Sequence, residues 1–168
     1  AALPGAWALV LRATGPDAGA FESAGLAGGS GRFTRRGLAP GQHLVGWVDP
    51  SGAHAPRFAP DSPSAAASTP VAVAAGDSTT SSGGLPAQSA VPGGQALAGT
   101  VTDGAGAPAP GVLVVALRAA DFQLARGAVT APDGTYSLDL VDGTYFVVFL
   151  DPTGRHAREW YDDRPSPG

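Results

Sequence analysis

The stretch Tyr145–Leu150, which reads YFVVFL, decides the fold expected of this chain. Its side chains are apolar on both faces of an extended backbone, as in a central strand that is covered on both sides. Residues 136–140 alternate instead between apolar and polar, which is the period of a half-buried strand. Asp-Gly pairs at 133–134 and 142–143 bracket this run and favour tight turns. The sequence therefore predicts an all-β fold of short strands, with almost no helix.

The second half of the chain repeats the first. Residues 3–12 and 109–118 both end in Leu-Arg, and DPSGAHA at 49–55 matches DPTGRHA at 151–157 without a gap. Repetition on this scale indicates an array of modules.

A weaker match joins GRFT at 31–34 to GTYS at 134–137. Compared with Tyr136 to Leu140 in the second half, the segment from Phe33 to Leu38 contains one extra residue, which we interpret as a β-bulge. The predicted organisation is a first module over residues 1–85, a short proline-bounded linker over 86–94 and a second module over 95–168.

Several motifs of the second half resemble a known family. They are GTVTD at 99–103, PGV at 110–112, DGTY at 133–136, GTY at 143–145 and EWY at 159–161. The pattern resembles the carboxypeptidase regulatory-like (transthyretin-like) domain, in particular the copies strung along large secreted bacterial proteins. The resemblance implies two tandem Ig-like or transthyretin-like β-sandwiches in an extracellular, cell-surface protein, and it implies no peptidase active site.

The family pattern also places the modules out of phase with the chain ends. The first module lacks an opening strand like 95–103, and the second lacks closing strands like 69–85. Bare sheet edges are avoided by natural β proteins. Either the chain is cut from a longer array, or neighbouring chains donate the missing strands.

Composition argues against several classes of function. Charged residues make up 14% of the chain, all ten basic residues are Arg, and the net charge is −4, so the footprint of a nucleic-acid-binding protein is missing. Absent cysteine excludes disulfides and thiolate metal sites. The longest strongly apolar run is far below the roughly 20 residues of a membrane helix. We find no catalytic constellation and no cofactor fingerprint, so we expect no enzyme, no cofactor and no membrane span in this segment.

Metal binding is also not expected. Glu159, Asp162 and Asp163 could hold a calcium ion, but surface pairing with neighbouring arginines is the favoured interpretation. His54 and His156 occupy equivalent places in the repeat. Such repetition predicts a structural hydrogen bond beneath a loop.

The candidate ligand contacts are aromatic. Trp160 and Tyr161 could stack on a sugar, with Phe58 at the position that matches Trp160. The favoured alternative is that Trp160 and Phe58 are core residues, because tryptophan is usually buried. We therefore expect a non-catalytic structural or adhesive module that self-associates, with carbohydrate binding as the alternative.

Overall fold

The computed structural model describes residues 2–16, 18–88 and 94–161, and in these ranges the chain is all-β, as predicted. The strands of the first half are β1 (Trp7–Arg12), β2 (Phe21–Leu26), β3 (Gly41–Val48), β4 (Arg57–Phe58) and β5 (Val71–Val73). Those of the second half are β6 (Gln95–Thr100), β7 (Leu113–Arg118), β8 (Leu124–Val129), β9 (Thr135–Leu140), β10 (Tyr145–Leu150) and β11 (Glu159–Trp160). A single 3₁₀ turn at Ala65–Ala67 is the only helical element described.

The strands form three antiparallel sheets. The first sheet has the order β2-β1-β3-β4, with β5 also on β3; the second has the order β11-β10-β7-β8; and β6 pairs with β9. The sequence repeat is preserved in the register, since Arg12 pairs with His43 and Arg118 with Tyr145. Both edge hairpins, β1–β2 and β7–β8, even shift register at the same point. The two larger sheets are therefore copies of one unit.

The two copies share one core. Alternate residues of β1 and β7 belong to the same buried cluster, which also takes in residues of β2, β3, β4, β8, β10 and β11. The members from the two central strands are Trp7, Leu9 and Leu11 from β1 and Leu113, Val115 and Leu117 from β7. Each half thus supplies one sheet to a common sandwich. The division into modules at 86–94 stays a prediction, and residues 89–93 of that linker lie outside the described residues.

The opposite face of the second sheet is covered as well. Val114, Ala116 and Val147 pack with Leu138 and Leu140 of β9, with further apolar side chains around them. Residues 113–117 of β7 are all buried. Burial on both faces is the environment that the double-sided apolar run at 145–150 predicts.

The opposite face of the first sheet has a different cover. Val45 and Trp47 pack there with Phe33, Val71 and Leu85, which come from irregular segments or from the short strand β5. The β-bulge predicted between Phe33 and Leu38 is wrong, because this segment forms no strand. Its counterpart β9 pairs with β6, and no described strand of the first half takes the place of β6. A strand needs a neighbour for its backbone groups.

Each copy also fixes the start of an equivalent strand, β3 or β10, through one side chain. The Tyr145 hydroxyl donates to the Val141 carbonyl at 2.8 Å, and His43 Nε2 lies 2.9 Å from the equivalent carbonyl of Ala39. His43 is buried, and its Nδ1 lies 2.8 Å from Glu22 Oε2. The same turn is therefore tied down by different chemistry in the two halves.

The shared core predicts that the two halves unfold together. Leu113→Ala removes a fully buried side chain and should destabilise the protein by about 2–5 kcal/mol. Hydrogen exchange should show protection in β3 and β10 falling to the same extent. Leu26→Ala, at an exposed position, is the control and should change stability by no more than about 0.5 kcal/mol. Loss of protection in β10 alone would contradict the shared core.

Candidate functional site

The three aromatic residues predicted as ligand contacts differ in their exposure to solvent. Trp160 is 5% exposed and Phe58 is 0% exposed, and both belong to the shared core. The Trp160 ring lies 5.8 Å from that of Phe21 and 6.3 Å from that of Phe146. Tyr161 is 68% exposed, although its backbone N–H donates to Val147. Tyr161 is thus the member of this set that reaches solvent, and a glycan contact stays a prediction.

An Asp–His pair closes the equivalent loop in each half, between β3 and β4 and between β10 and β11. His54 Nδ1 lies 2.7 Å from Asp49 Oδ2, and His156 Nδ1 lies 2.8 Å from Asp151 Oδ2. The other carboxylate oxygen accepts the N–H and hydroxyl two residues along, at Ser51 or Thr153. The predicted hydrogen bond beneath the loop is confirmed, and its role is to hold a turn.

These hydrogen bonds change the acidity of the two aspartates. Partial burial by itself raises the pKa of Asp151, but the hydrogen bonds from Thr153 and His156 outweigh it and lower the pKa to about 2. The pKa of Asp49 is lowered in the same way, by Ser51 and His54 against the effect of burial. Both carboxylates are therefore ionised in the folded protein at neutral pH.

Two clefts lie between the halves at equivalent places. The first, here named the arginine cleft, has a volume of about 230 Å³ and lies between the start of β8 and the loop that leads into β4. The second has a volume of about 260 Å³ and lies between β2 and the loop that leads into β11. Polar and charged residues that line the arginine cleft are Arg57, Gln88, Arg118, Gln123, Arg126, Asp139 and Tyr145.

Sequence reasoning missed the arginine cleft. Its walls come from both halves and meet only because the two sheets share a core. One available signal was Arg126, a charged residue in the otherwise small or apolar strand LARGAV. A buried cation in such a strand needs partners that local sequence does not reveal.

Residues 96–159 match the family model of the carboxypeptidase regulatory-like domain. This segment belongs to that family. The match extends from β6 to the first residue of β11, so the strands of the second half are those of a carboxypeptidase regulatory-like domain. The family resemblance inferred from the sequence motifs is confirmed. Searches of curated proteins and of solved structures found no match.

Domains of the carboxypeptidase regulatory-like family are non-catalytic modules. Across residues 2–16, 18–88 and 94–161, no cluster of three or more His, Cys, Asp or Glu side chains could hold a metal ion. Asp162 and Asp163, which the sequence raised as calcium ligands with Glu159, lie outside the described residues. The part of the chain that is described also has no helix long and apolar enough to cross a bilayer.

The Asp151 pair predicts a loss of stability in acid. Aspartate in an unfolded chain has a pKa of about 3.9, and the folded value is lower, so the stabilisation is complete above about pH 4 and is lost as the pH falls towards 2. Urea unfolding should show wild type more stable than Asp151→Asn at pH 5, with the difference shrinking below pH 4. Asp49→Asn should behave alike. A difference that stays constant down to pH 2 would contradict the assignment.

Proposed function

We propose that the chain is a non-catalytic structural module of an extracellular bacterial surface protein or fibre. The observation that carries this proposal is the shared core. Two copies of one sheet bury their apolar faces against each other, so the tandem repeat forms one stiff block instead of two beads on a linker. A block of this kind suits a protein that spaces or anchors other parts at a surface.

The use of the polar side chains supports the same role. Asp49 and Asp151 hold the two equivalent loops, while Asp103 accepts backbone N–H groups of Ala105 and Ala107 in a third turn. Asp133 accepts both the N–H and the hydroxyl of Thr135 in a fourth. Carboxylates that fix turns contribute to rigidity.

The proposed mode of assembly is strand donation between neighbouring chains. In the second half, β6 and β9 cover the outer face of the sheet, while the first half covers the same face with irregular segments around Trp47. Trp47 Nε1 is buried there without a hydrogen-bond partner, and the Phe33 ring packs against the indole edge-on at 4.8 Å. A strand from another copy could replace this cover and add the strand pairing that residues 31–38, which form no strand, do not provide.

Strand donation predicts that the protein self-assembles. Sedimentation and electron microscopy of the purified chain should show oligomers or filaments that grow with concentration. Phe33→Ala loosens the irregular cover and should shift assembly to lower concentration. The control is Phe122→Ala, which removes a ring from a different surface. If wild type and Phe33→Ala both stay folded monomers at high concentration, strand donation is wrong, although a structural role as a monomeric block would survive.

Carbohydrate binding is the second candidate, and the exposure of Tyr161 favours it. A glycan array should then show a bound sugar that is lost in Tyr161→Ala while the fold is kept. Leu26→Ala, at an exposed apolar residue outside both clefts, is the control and should bind as wild type does. Equal binding by wild type and Tyr161→Ala would exclude this residue as the contact.

A further inference from the structure

We infer that the arginine cleft binds a small ligand that carries a carboxylate next to a hydrogen-bond donor. The cleft is formed by both halves, with Arg57 and Gln88 on one side and Arg118, Arg126 and Tyr145 on the other. Its volume of about 230 Å³ suits a ligand of amino-acid or monosaccharide size. The inference is independent of the proposed structural role.

Arg126 supplies the main reason to expect an anion. The side chain is buried, with 8% of its surface exposed. Its Nε donates to the Asp139 carbonyl at 3.2 Å and its Nη1 to the Gly52 carbonyl at 2.6 Å. Both partners are neutral, and no carboxylate of the described residues forms an ion pair with this guanidinium. Asp139 also lines the cleft, but its carboxylate forms no ion pair with Arg126. A buried cation without a paired counter-charge is unfavourable, and a carboxylate of the ligand would supply that charge.

Arg118 adds a second donor to the same wall. Its Nε and Nη2 are held by Asp121 at 2.9 and 2.5 Å. This bidentate pairing fixes the plane of the guanidinium and leaves Nη1 for another acceptor. Two arginines with fixed side chains favour a planar carboxylate over a mobile surface ion.

The cleft also presents acceptors, which a simple anion would leave unused. Gln88 Oε1 is buried and has no hydrogen-bond partner. The Tyr145 hydroxyl donates to Val141, so its oxygen lone pairs remain to accept. A buried unpaired carbonyl is unfavourable, and an N–H or O–H on the ligand would satisfy it. This chemistry is offered by a peptide carboxyl terminus, with its amide N–H, and by a sugar acid, with its hydroxyls.

Titrations followed by ¹H–¹⁵N NMR can test the inference on the whole chain. The probes are N-acetylglycine and glucuronate, which carry both groups, acetate, which carries the carboxylate alone, and N-acetylglycinamide, which lacks the carboxylate. We expect saturable shifts of amides around the cleft with N-acetylglycine or glucuronate, and no binding of N-acetylglycinamide. Acetate should bind roughly tenfold more weakly, since one hydrogen bond contributes about that factor. The tighter of the first two probes identifies a peptide or a sugar source.

Variants separate the cleft from general charge effects. Arg126→Gln should abolish binding, but Arg126 also donates a hydrogen bond to Gly52, so this variant could disturb the fold. Gln88→Leu is therefore a second variant. It should lower the affinities for N-acetylglycine and glucuronate to that for acetate. Arg35→Gln, in the second cleft, is the control and should bind like wild type. The inference is overturned if neither N-acetylglycine nor glucuronate gives saturable shifts, if Gln88→Leu binds them like wild type, or if Arg35→Gln weakens them equally.

Discussion

Burial of the second sheet on both faces is the constraint on which the rest of the structure depends. Strands β7 and β10 carry apolar side chains on both sides, so neither face can be left to water. The pair β6–β9 covers one face, and the sheet of the first half covers the other. The sheet of the first half therefore completes the core of the second half, while irregular segments and the short strand β5 cover the outer face of the first sheet.

The two copies differ in sequence at several structurally equivalent positions in their edge hairpins, β1–β2 and β7–β8. Phe122 has φ 53° at the place where the first half has Gly19 with φ 85°. Left-handed backbone costs a residue with a side chain about 1 kcal/mol or more, and the Phe122 ring stacks on Phe146 at 5.1 Å in partial compensation. Arg126 likewise stands at the register position of Ser23. The arginine cleft thus exists in the second half because of residues that the repeat did not keep.

The local sequence pattern was sufficient to predict most of the strands, but it did not predict which strands and side chains pack against each other. Apolar alternation and Asp-Gly turns predicted the strands, and the repeated Asp–His spacing predicted a tied loop. The same alternation says that a face is buried without saying what covers it, so the shared core could not be derived. The strand expected near Phe33 failed for a related reason, because pairing depends on a neighbour distant in sequence. Arg126 and Gly52 are 74 residues apart, and only the packing of the two halves joins them.

The two clefts show how one scaffold can carry different chemistry at equivalent positions. The second cleft is lined by two acidic residues, Glu22 and Asp151, and by two arginines, whereas the arginine cleft is lined by three arginines and one acidic residue, Asp139. In the arginine cleft, Arg126 is held by carbonyl groups alone. Duplication supplied two similar spaces, and substitution left one of them with a buried arginine that forms no ion pair with a described carboxylate. An imbalance of this kind is expected where a site has been grafted onto a fold whose architecture does not itself dictate function.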